Sequence, residues 1–236
     1  MMPYGRHSVS EADIAAVCEV LRSDWLTTGP LVQRFEDALS DVAGADCVSV
    51  TSGTAALHVA YAACGLGPGA NVVTSPLTFV ATAATAIMLR ATVTFADVDP
   101  ETALLDPAAA AAAMNPATTV VAAVDFAGHP ADHDALRDVA HAGGARLLVD
   151  AAHAIGSRYR GRPVGSTADI TTFSFYPTKN MTTAEGGAVA TPHPDLALAA
   201  RRWRSHGLVR DRAAQRFPDE GGWHQEVHEF GLNYRL

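Results

Sequence analysis

The chain is 236 residues long, with 48% hydrophobic residues, 18% charged residues and a formal net charge of −8 at pH 7. This composition supports one large domain with a substantial core and excludes a chain that stays unfolded. The acidic balance argues against a nucleic-acid or anionic-membrane partner, because both are bound through clustered lysine and arginine.

Three features of the sequence bear on where the protein is located in the cell. No run of the sequence approaches the roughly twenty apolar residues that a membrane helix needs. The N-terminus lacks the basic stretch and apolar run of a secretory signal. Three cysteines, an odd number with no CxxC pair, are typical of buried thiols in a reducing compartment. These features predict a cytoplasmic protein that does not enter a membrane.

Helices and strands are predicted to alternate along most of the chain. Two amphipathic stretches come first and predict helices at Glu11–Leu21 and Leu31–Val42. Seven β-branched or apolar runs then predict strands at Cys47–Ser52, Asn71–Ser75, Thr92–Val98, Thr118–Phe126, Arg146–Ala152, Ile170–Tyr176 and Gly187–Thr191. Helical spacing between them predicts further helices at Gly53–Cys64, Asp106–Met114, Ala131–His141 and Pro194–Arg204. This alternation indicates a mainly parallel sheet between two layers of helices.

Three segments of the chain differ in character. Residues 1–44 predict a helical N-terminal segment, and residues 45–205 predict one uninterrupted α/β domain. Residues 206–236 carry more charge and little periodicity, which predicts an irregular extension. The extension stops at Leu236 without a closing helix, and we expect its packing partner to lie outside this chain.

A single lysine, Lys179, stands among 17 basic residues, and the other 16 are arginine. Arginine stays protonated in proteins and cannot act as an amine nucleophile, whereas lysine can. On composition alone, a coding bias that spared one lysine and a lysine kept for its amine explain the count equally well.

Three segments with small or reactive side chains follow predicted strands, where open parallel sheets bind their ligands. Thr51–Ala55 opens a helix with small residues, which suits either a phosphate at the helix terminus or an ordinary N-cap. Val149–His153 places a carboxylate and a histidine after apolar residues, which suits either a partner for a cationic ring nitrogen or a helix cap. Thr172–Asn180 brings Lys179 just past a strand end, where the ordinary alternative is a surface lysine. Together the three segments predict a pyridoxal phosphate (PLP) site.

Two pairs of histidines four residues apart do not indicate a metal centre. His224 and His228 flank Glu226, but this glutamate stands one position away from its place in the HExxH metalloprotease motif. His129 and His133 straddle a proline that would break the helix needed to align them. We therefore expect no metal site.

Ordered motifs from about Ser8 to Leu236 resemble the DegT/StrS family of PLP-dependent nucleotide-sugar aminotransferases. The matching phrases, in chain order, are Leu26–Pro30, Phe35–Glu36, Thr51–Leu57, Pro76–Thr82, Asp97–Pro100, Asp150–Ala154, Ser174–Asn180 and Gly231–Arg235. The resemblance implies the aspartate aminotransferase fold, fold type I, with a mainly parallel seven-stranded sheet in its large domain. Family members continue past the Asn-Tyr-Arg motif into a smaller C-terminal domain, which we expect to be missing from this sequence.

The resemblance also implies roles for eight residues. Lys179 is implied to bond covalently to PLP and then to shuttle protons, and Asp150 to pair with the pyridine nitrogen. His153 is implied to lie against the ring near its hydroxyl, and Phe79 to stack on the ring face. The residues implied to hold the phosphate are Gly53, Thr54, Ser174 and Asn233. Of these, Asn233 is implied to reach the site of a neighbouring subunit, which implies an obligate homodimer with shared active sites.

The substrates are implied by the resemblance alone. The loop phrases Ser174–Asn180 and Val124–Pro130 are similar to members that aminate UDP-linked 4-keto-6-deoxy-N-acetylhexosamines. The amino donor in the family is usually L-glutamate, and the implied kinetics are ping-pong. Sugar 3-dehydratases of the family replace the lysine with histidine, so Lys179 counts against that activity. A C3-specific aminotransferase and a shortened, non-catalytic PLP-binding relative stay open as alternatives.

Overall fold

The computed structural model describes residues 5–236. Its helices are α1 (Glu11–Leu21), α2 (Pro30–Ala43), α3 (Gly53–Ala63), α4 (Ala81–Met88), α5 (Pro107–Ala113), α6 (His133–Ala142) and α7 (Pro194–Arg204). Its strands are β1 (Asp46–Val50), β2 (Asn71–Thr74), β3 (Thr92–Phe95), β4 (Thr118–Val124), β5 (Arg146–Asp150), β6 (Arg158–Tyr159), β7 (Arg162–Pro163), β8 (Ile170–Ser174), β9 (Gly187–Thr191), β10 (Leu208–Val209) and β11 (Glu226–Val227). Within this described range, no helix combines the length and apolarity needed to cross a bilayer.

Local sequence signals set where several helices begin and end. Pro30 occupies the first turn of α2, and Gly44 ends that helix in the left-handed conformation with φ of 69°. The Asp106 carboxylate caps α5 by accepting a hydrogen bond from Ala109 N at 2.7 Å. Because these signals are local, six of the seven helices were predictable, each to within two residues at either end.

Seven strands form one sheet in the order β1–β9–β8–β5–β4–β2–β3. Neighbouring strands from β8 to β3 run parallel, whereas β9 runs antiparallel to both β1 and β8. The predicted seven-stranded, mainly parallel sheet is therefore confirmed. Five strands end two or three residues earlier than predicted. After four of them, β1, β4, β5 and β8, the chain enters loops that carry the candidate site.

Both faces of the sheet are covered by helices. On one face, Val121 and Ala123 of β4 pack in a core shared with α5 and α6. On the other face, Val120 and Ala122 pack in a core shared with α3 and α7. Burial on both faces explains why the central strands are almost continuously apolar instead of alternating with polar residues.

The helix α2 packs directly on the sheet through a buried glutamate. Glu36 Oε1 accepts hydrogen bonds from the backbone N–H of Ser49 at 2.9 Å and from its hydroxyl at 2.7 Å. The guanidinium of Arg204 at the end of α7 also donates to Glu36. These contacts join α2, β1 and α7. The predicted division of the chain into three segments, with boundaries after residues 44 and 205, stays a prediction.

The helix α4 is the one α-helix among the described residues that the sequence did not predict. Its residues, Ala81–Met88, mix alanine, threonine and larger apolar side chains without a clear polar face. Val80 stands at its N-cap and provides no side-chain hydrogen bond, so the usual start signal is missing. Packing against α3 and the sheet buries Thr82 and Thr85 and holds α4 in place.

The predicted irregular extension contains the short ribbon β10–β11 and a clustered glutamate. Glu226 accepts hydrogen bonds from Arg216 N at 2.8 Å, Phe217 N at 2.7 Å and His228 Nε2 at 2.6 Å. Desolvation alone would raise the pKa of Glu226, but these hydrogen bonds together lower it to about 2. His224 contacts the same carboxylate at 3.3 Å. Across residues 5–236, no three His, Cys, Asp or Glu side chains are grouped as metal ligands.

Candidate active site

A cavity of about 480 Å³ opens at the carboxyl ends of β4, β5 and β8. Seven of the eight residues predicted for the site line it, namely Gly53, Thr54, Phe79, Asp150, His153, Ser174 and Lys179. The eighth, Asn233, lies outside the cavity, exposed in the C-terminal segment, where it pairs with Ser205. Its contact with a neighbouring subunit stays a prediction, as do the individual roles of the other seven residues.

The lysine and the histidine of the cavity are in direct contact. Lys179 lies in the loop after β8, and its Nζ is 2.7 Å from His153 Nε2. Burial lowers the pKa of Lys179, and the charge of Asp150 opposes this change. Burial also lowers the pKa of His153, as does the nearby charge of Lys179. A lowered lysine pKa increases the fraction of neutral amine, which is the nucleophilic form.

The carboxylate at the end of β5 is buried and hydrogen-bonded. Asp150 Oδ2 accepts a hydrogen bond from Thr82 Oγ1 at 2.7 Å, and Oδ1 accepts one from Ala152 N at 3.3 Å. Burial raises the pKa of Asp150, although both hydrogen bonds and the charge of Lys179 work against the rise. A carboxylate in this environment gains from a cationic partner such as a protonated ring nitrogen.

Small residues form a concave surface at the N-terminus of α3. The hydroxyl of Ser52 accepts a hydrogen bond from Ala55 N at 3.1 Å. Helix geometry leaves the first-turn N–H groups of Gly53 and Thr54 without an intrahelical acceptor. A Cβ on Gly53 would lie 2.7 Å from Ser174 Cβ and 3.0 Å from its Oγ. The glycine therefore lets the Ser174 hydroxyl approach the helix terminus, an arrangement that suits a phosphate.

Phe79 stands at the edge of the cavity with 74% of its surface exposed. The family resemblance implies that Phe79 stacks on the face of the PLP ring. Its position on the cavity wall allows a bound ring to cover it. The structure brings it near the predicted residues, although it precedes α4, which the sequence did not predict.

Some residues of the site were not assigned from the sequence. Asp125 follows β4 and lines the cavity, and it carries the same signal as Asp150, a carboxylate directly after an apolar strand. Thr82, which donates to Asp150, had no such signal because its helix was not predicted. Other unassigned residues of the lining include Ser52, Leu57, Thr78, Thr172, Tyr176 and Glu185.

The residues present fit three functional groups of PLP, namely the ring nitrogen, the aldehyde and the phosphate. Asp150 is a buried acid that can pair with the pyridine nitrogen, and Lys179 is an amine that can bond to the aldehyde carbon. The N-terminus of α3, close to the Ser174 hydroxyl, provides donors for the phosphate. The cavity therefore holds the three kinds of partner that this cofactor requires.

The fold is fold type I of the PLP-dependent aminotransferases, and the cavity carries side chains that fit this cofactor. A sequence model of the DegT/DnrJ/EryC1/StrS aminotransferase family matches residues 7–236, and the chain belongs to this family. It is 43% identical to the spore coat polysaccharide biosynthesis protein SpsC of Bacillus subtilis (strain 168), over all of this chain and 60% of SpsC.

Solved structures show the same relationship. PseC of Helicobacter pylori, an aminotransferase involved in the biosynthesis of pseudoaminic acid, superimposes with a TM-score of 0.89 at 30% identity, over 99% of this chain and 61% of PseC. Spr1654 of Streptococcus pneumoniae in its PLP form gives a TM-score of 0.89 at 29% identity, over 99% of this chain and 63% of Spr1654. The chain thus spans 60–63% of the length of these relatives.

Gly53→Ala is expected to weaken PLP binding and to destabilise the chain by about 1–3 kcal/mol, the usual cost of overpacking. The added methyl would collide with Ser174 and move its hydroxyl away from the helix terminus. PLP titration and denaturant unfolding measure the two effects. Gly67→Ala is the matched control, because a Cβ there meets open space. Equal PLP affinity in the two variants would contradict the role given to Gly53.

Proposed function

We propose that this chain carries the cofactor-binding part of an aminotransferase that acts on nucleotide-linked sugars. The amino group comes from L-glutamate and is transferred to the C4 ketone of a nucleotide-linked 4-keto-6-deoxy sugar, for the biosynthesis of aminosugars in surface glycans. The observation that carries the proposal is the 2.7 Å contact between Lys179 Nζ and His153 Nε2, in a cavity that also holds the buried Asp150.

The names of the relatives support a sugar substrate. SpsC is named for the biosynthesis of a spore coat polysaccharide, and PseC for that of pseudoaminic acid. The sequences of the loop segments Val124–Pro130 and Ser174–Asn180 support a UDP-linked N-acetylhexosamine as the sugar substrate. Lys179 favours amination over 3-dehydration, because the dehydratases of the family replace this lysine with histidine.

Three side chains of the cavity have a defined task in this proposal. When bound, PLP supplies the electron sink and carries the amino group between the two substrates. Lys179 moves a proton at the reacting carbon, since its lowered pKa makes the neutral amine available as a base. The hydrogen bond between His153 Nε2 and Lys179 Nζ orients the amine. Asp150, oriented by Thr82, stabilises a protonated ring nitrogen through its negative charge.

The proposal includes a homodimer in the cytoplasm. Asn233 is exposed and lies outside the cavity of its own chain, which is compatible with a role in the site of a partner subunit. The odd number of cysteines, with no CxxC pair, supports a reducing compartment. Size-exclusion chromatography with light scattering measures the oligomeric state directly.

Amino transfer is expected when the purified chain is mixed with PLP, L-glutamate and a UDP-linked 4-keto-6-deoxy-N-acetylhexosamine. Absorbance follows the bound cofactor, release of 2-oxoglutarate follows the first half-reaction, and NMR of the sugar product distinguishes amination at C4 from amination at C3. Initial rates should give parallel double-reciprocal lines, because the donor product leaves before the sugar reacts.

Three results would contradict parts of the proposal. Intersecting lines would exclude the ping-pong order. An amine at C3 would correct the position of transfer. Stable PLP binding without release of 2-oxoglutarate would identify the chain as a non-catalytic PLP-binding relative.

A further inference from the structure

One residue of the cavity wall, Thr78, has no task in the mechanism above. It lies in the loop between β2 and α4, where it is half-buried. Its Oγ1 is 2.8 Å from Thr82 Oγ1, and Thr82 Oγ1 is 2.7 Å from Asp150 Oδ2. The three side chains therefore form a continuous row of hydrogen bonds that begins at Thr78 and ends on the buried carboxylate.

The charge of the carboxylate sets the direction of these hydrogen bonds. An ionised carboxylate can only accept, so the one hydroxyl proton of Thr82 points to Asp150. Thr82 Oγ1 then accepts from Thr78, and each hydroxyl donates towards the charge. When Asp150 is neutral, its own proton can be donated to Thr82 and the direction reverses. Hydrogen bonds that end on a charge are stronger than neutral ones and polarise one another, so the Thr78 hydroxyl stabilises the ionised form more.

Thr82 is held in the position that this connection requires. Its side chain is completely buried, and its carbonyl oxygen accepts a hydrogen bond from the Tyr61 hydroxyl at 2.9 Å. Tyr61, on α3, is itself completely buried. The backbone N–H of Thr82 donates to Phe79 O at 3.2 Å. Burial keeps water away from Thr82, so water does not readily replace a lost partner of its hydroxyl group.

Other titratable groups near Asp150 come from several elements of the fold. Burial raises the pKa of Asp150, the charge of Asp125 after β4 adds to the rise, and the charge of Lys179 after β8 opposes it. His153 contacts this lysine. Burial raises the pKa of Tyr61 on α3, which keeps its hydroxyl neutral. All four groups stay in place when only a threonine is substituted, so a comparison of threonine variants isolates the effect of the hydroxyl groups.

We propose that Thr78 is a positioning residue that acts through Thr82 to hold Asp150 in its ionised form at the cofactor site. The ionised carboxylate is the form that stabilises a protonated ring nitrogen. The inference rests on the proposed function for the cofactor that Asp150 meets. It goes beyond that function by assigning control of this charge to a residue of the cavity wall.

The test compares Thr78→Val with Thr78→Ser and with the matched control Thr85→Val. Valine has the shape of threonine without the hydroxyl, whereas serine keeps the hydroxyl. Thr85 is a buried threonine of α4 whose hydroxyl donates to Ala81 O at 2.8 Å, within its own helix. Carbon-13 NMR of the aspartate carboxyl groups follows ionisation in the full chain without PLP. The Asp150→Asn variant identifies the signal of Asp150.

Thr78→Val is expected to raise the pKa of Asp150 by about half to one pH unit, the effect of one lost hydrogen bond. Thr78→Ser and Thr85→Val should leave this pKa at its wild-type value. In a Thr82→Val background, Thr78→Val should cause no further rise, because the connection to Asp150 is already broken. With PLP bound, Thr78→Val should slow amino transfer from L-glutamate by about two- to tenfold in a single turnover.

A wild-type pKa of Asp150 in Thr78→Val would overturn the inference, and so would an equal rise in the Thr82→Val background. Thr78→Ala takes the place of Thr78→Val if that variant does not fold. Undiminished amino transfer by Thr78→Val, together with slow transfer by Asp150→Asn, would also overturn it. If the wild type loaded with PLP transfers no amino group, the proposed function fails for this chain, and the pKa comparison still decides whether Thr78 holds Asp150 ionised.

Discussion

Replacing Lys179 with arginine is expected to abolish covalent capture of PLP and to slow amino transfer from L-glutamate by at least about 10³-fold. The variant keeps the positive charge but removes the amine that can lose a proton. Because Lys179 is the only lysine, borohydride reduction of the PLP-treated wild type should label one internal peptide. Mass spectrometry of digested protein should find no internal label in Lys179→Arg.

A surface lysine introduced by Arg90→Lys provides the control for this experiment. Arg90 is exposed and does not line the cavity, so an amine there has the charge of lysine without the surroundings of the site. Added to Lys179→Arg, it should not restore amino transfer.

In the wild-type background, the pH dependence of labelling separates the two amines. Burial lowers the pKa of Lys179, so its neutral form persists to lower pH than that of the introduced surface amine. Labelling of Lys179 should therefore begin at lower pH. Identical pH profiles at the two positions would show that the cavity does not activate this lysine.

The second large effect is expected for Asp150→Asn, which should slow amino transfer by about 10²–10³-fold, the usual loss when one electrostatic stabiliser is removed. An amide cannot hold a cationic ring nitrogen by charge. Thr82→Val is the matched control, because it removes the hydroxyl that donates to Oδ2 and leaves the carboxylate. Thr82→Val should slow amino transfer less than Asp150→Asn does. Single-turnover rates with L-glutamate measure both variants, and an undiminished rate in Asp150→Asn would contradict the pairing.

Asp150→Asn should also change how the stability of the cofactor-free chain depends on pH. Burial raises the pKa of Asp150, so the folded chain favours the neutral carboxyl group. The stability that such a group contributes is present at low pH and is lost as the pH rises through its folded-state pKa. The variant should therefore unfold at a higher temperature than the wild type at neutral pH, with the difference shrinking in acid. A gain that grows in acid would contradict the raised pKa.

Several features of the fold could be predicted because their causes are local. Each of the seven sheet strands lies in one short stretch rich in β-branched or apolar residues, and the capping residues of α5 directly adjoin that helix. Both patterns can therefore be recognised in the sequence without the structure. The helix α4 could not be predicted, since its stability comes from burial of Thr82 and Thr85 and not from a cap or a polar face.

The candidate site also has residues that could be predicted from the sequence and residues that could not. Lys179, Asp150 and Gly53 each lie at or after the carboxyl end of a strand and stand out by residue type, so their place at this edge of the sheet was predictable. Asp125 has a similar signal, but its hydrogen bond with His133, which in turn contacts Thr167, could not be predicted. These partners come from α6 and from the turn before β8, and no pattern within either segment indicates that they meet.

By itself the sequence determined the order and type of the main elements and the chemical groups available to the site, because these depend on periodicity and residue identity. Only the tertiary structure decided which groups meet. His153 contacts a lysine 26 positions away, and Asp150 a threonine 68 positions away. The pKa shifts of Lys179 and Asp150 also belong to the folded state, because burial, partial for Lys179 and nearly complete for Asp150, removes water that would otherwise solvate their charges.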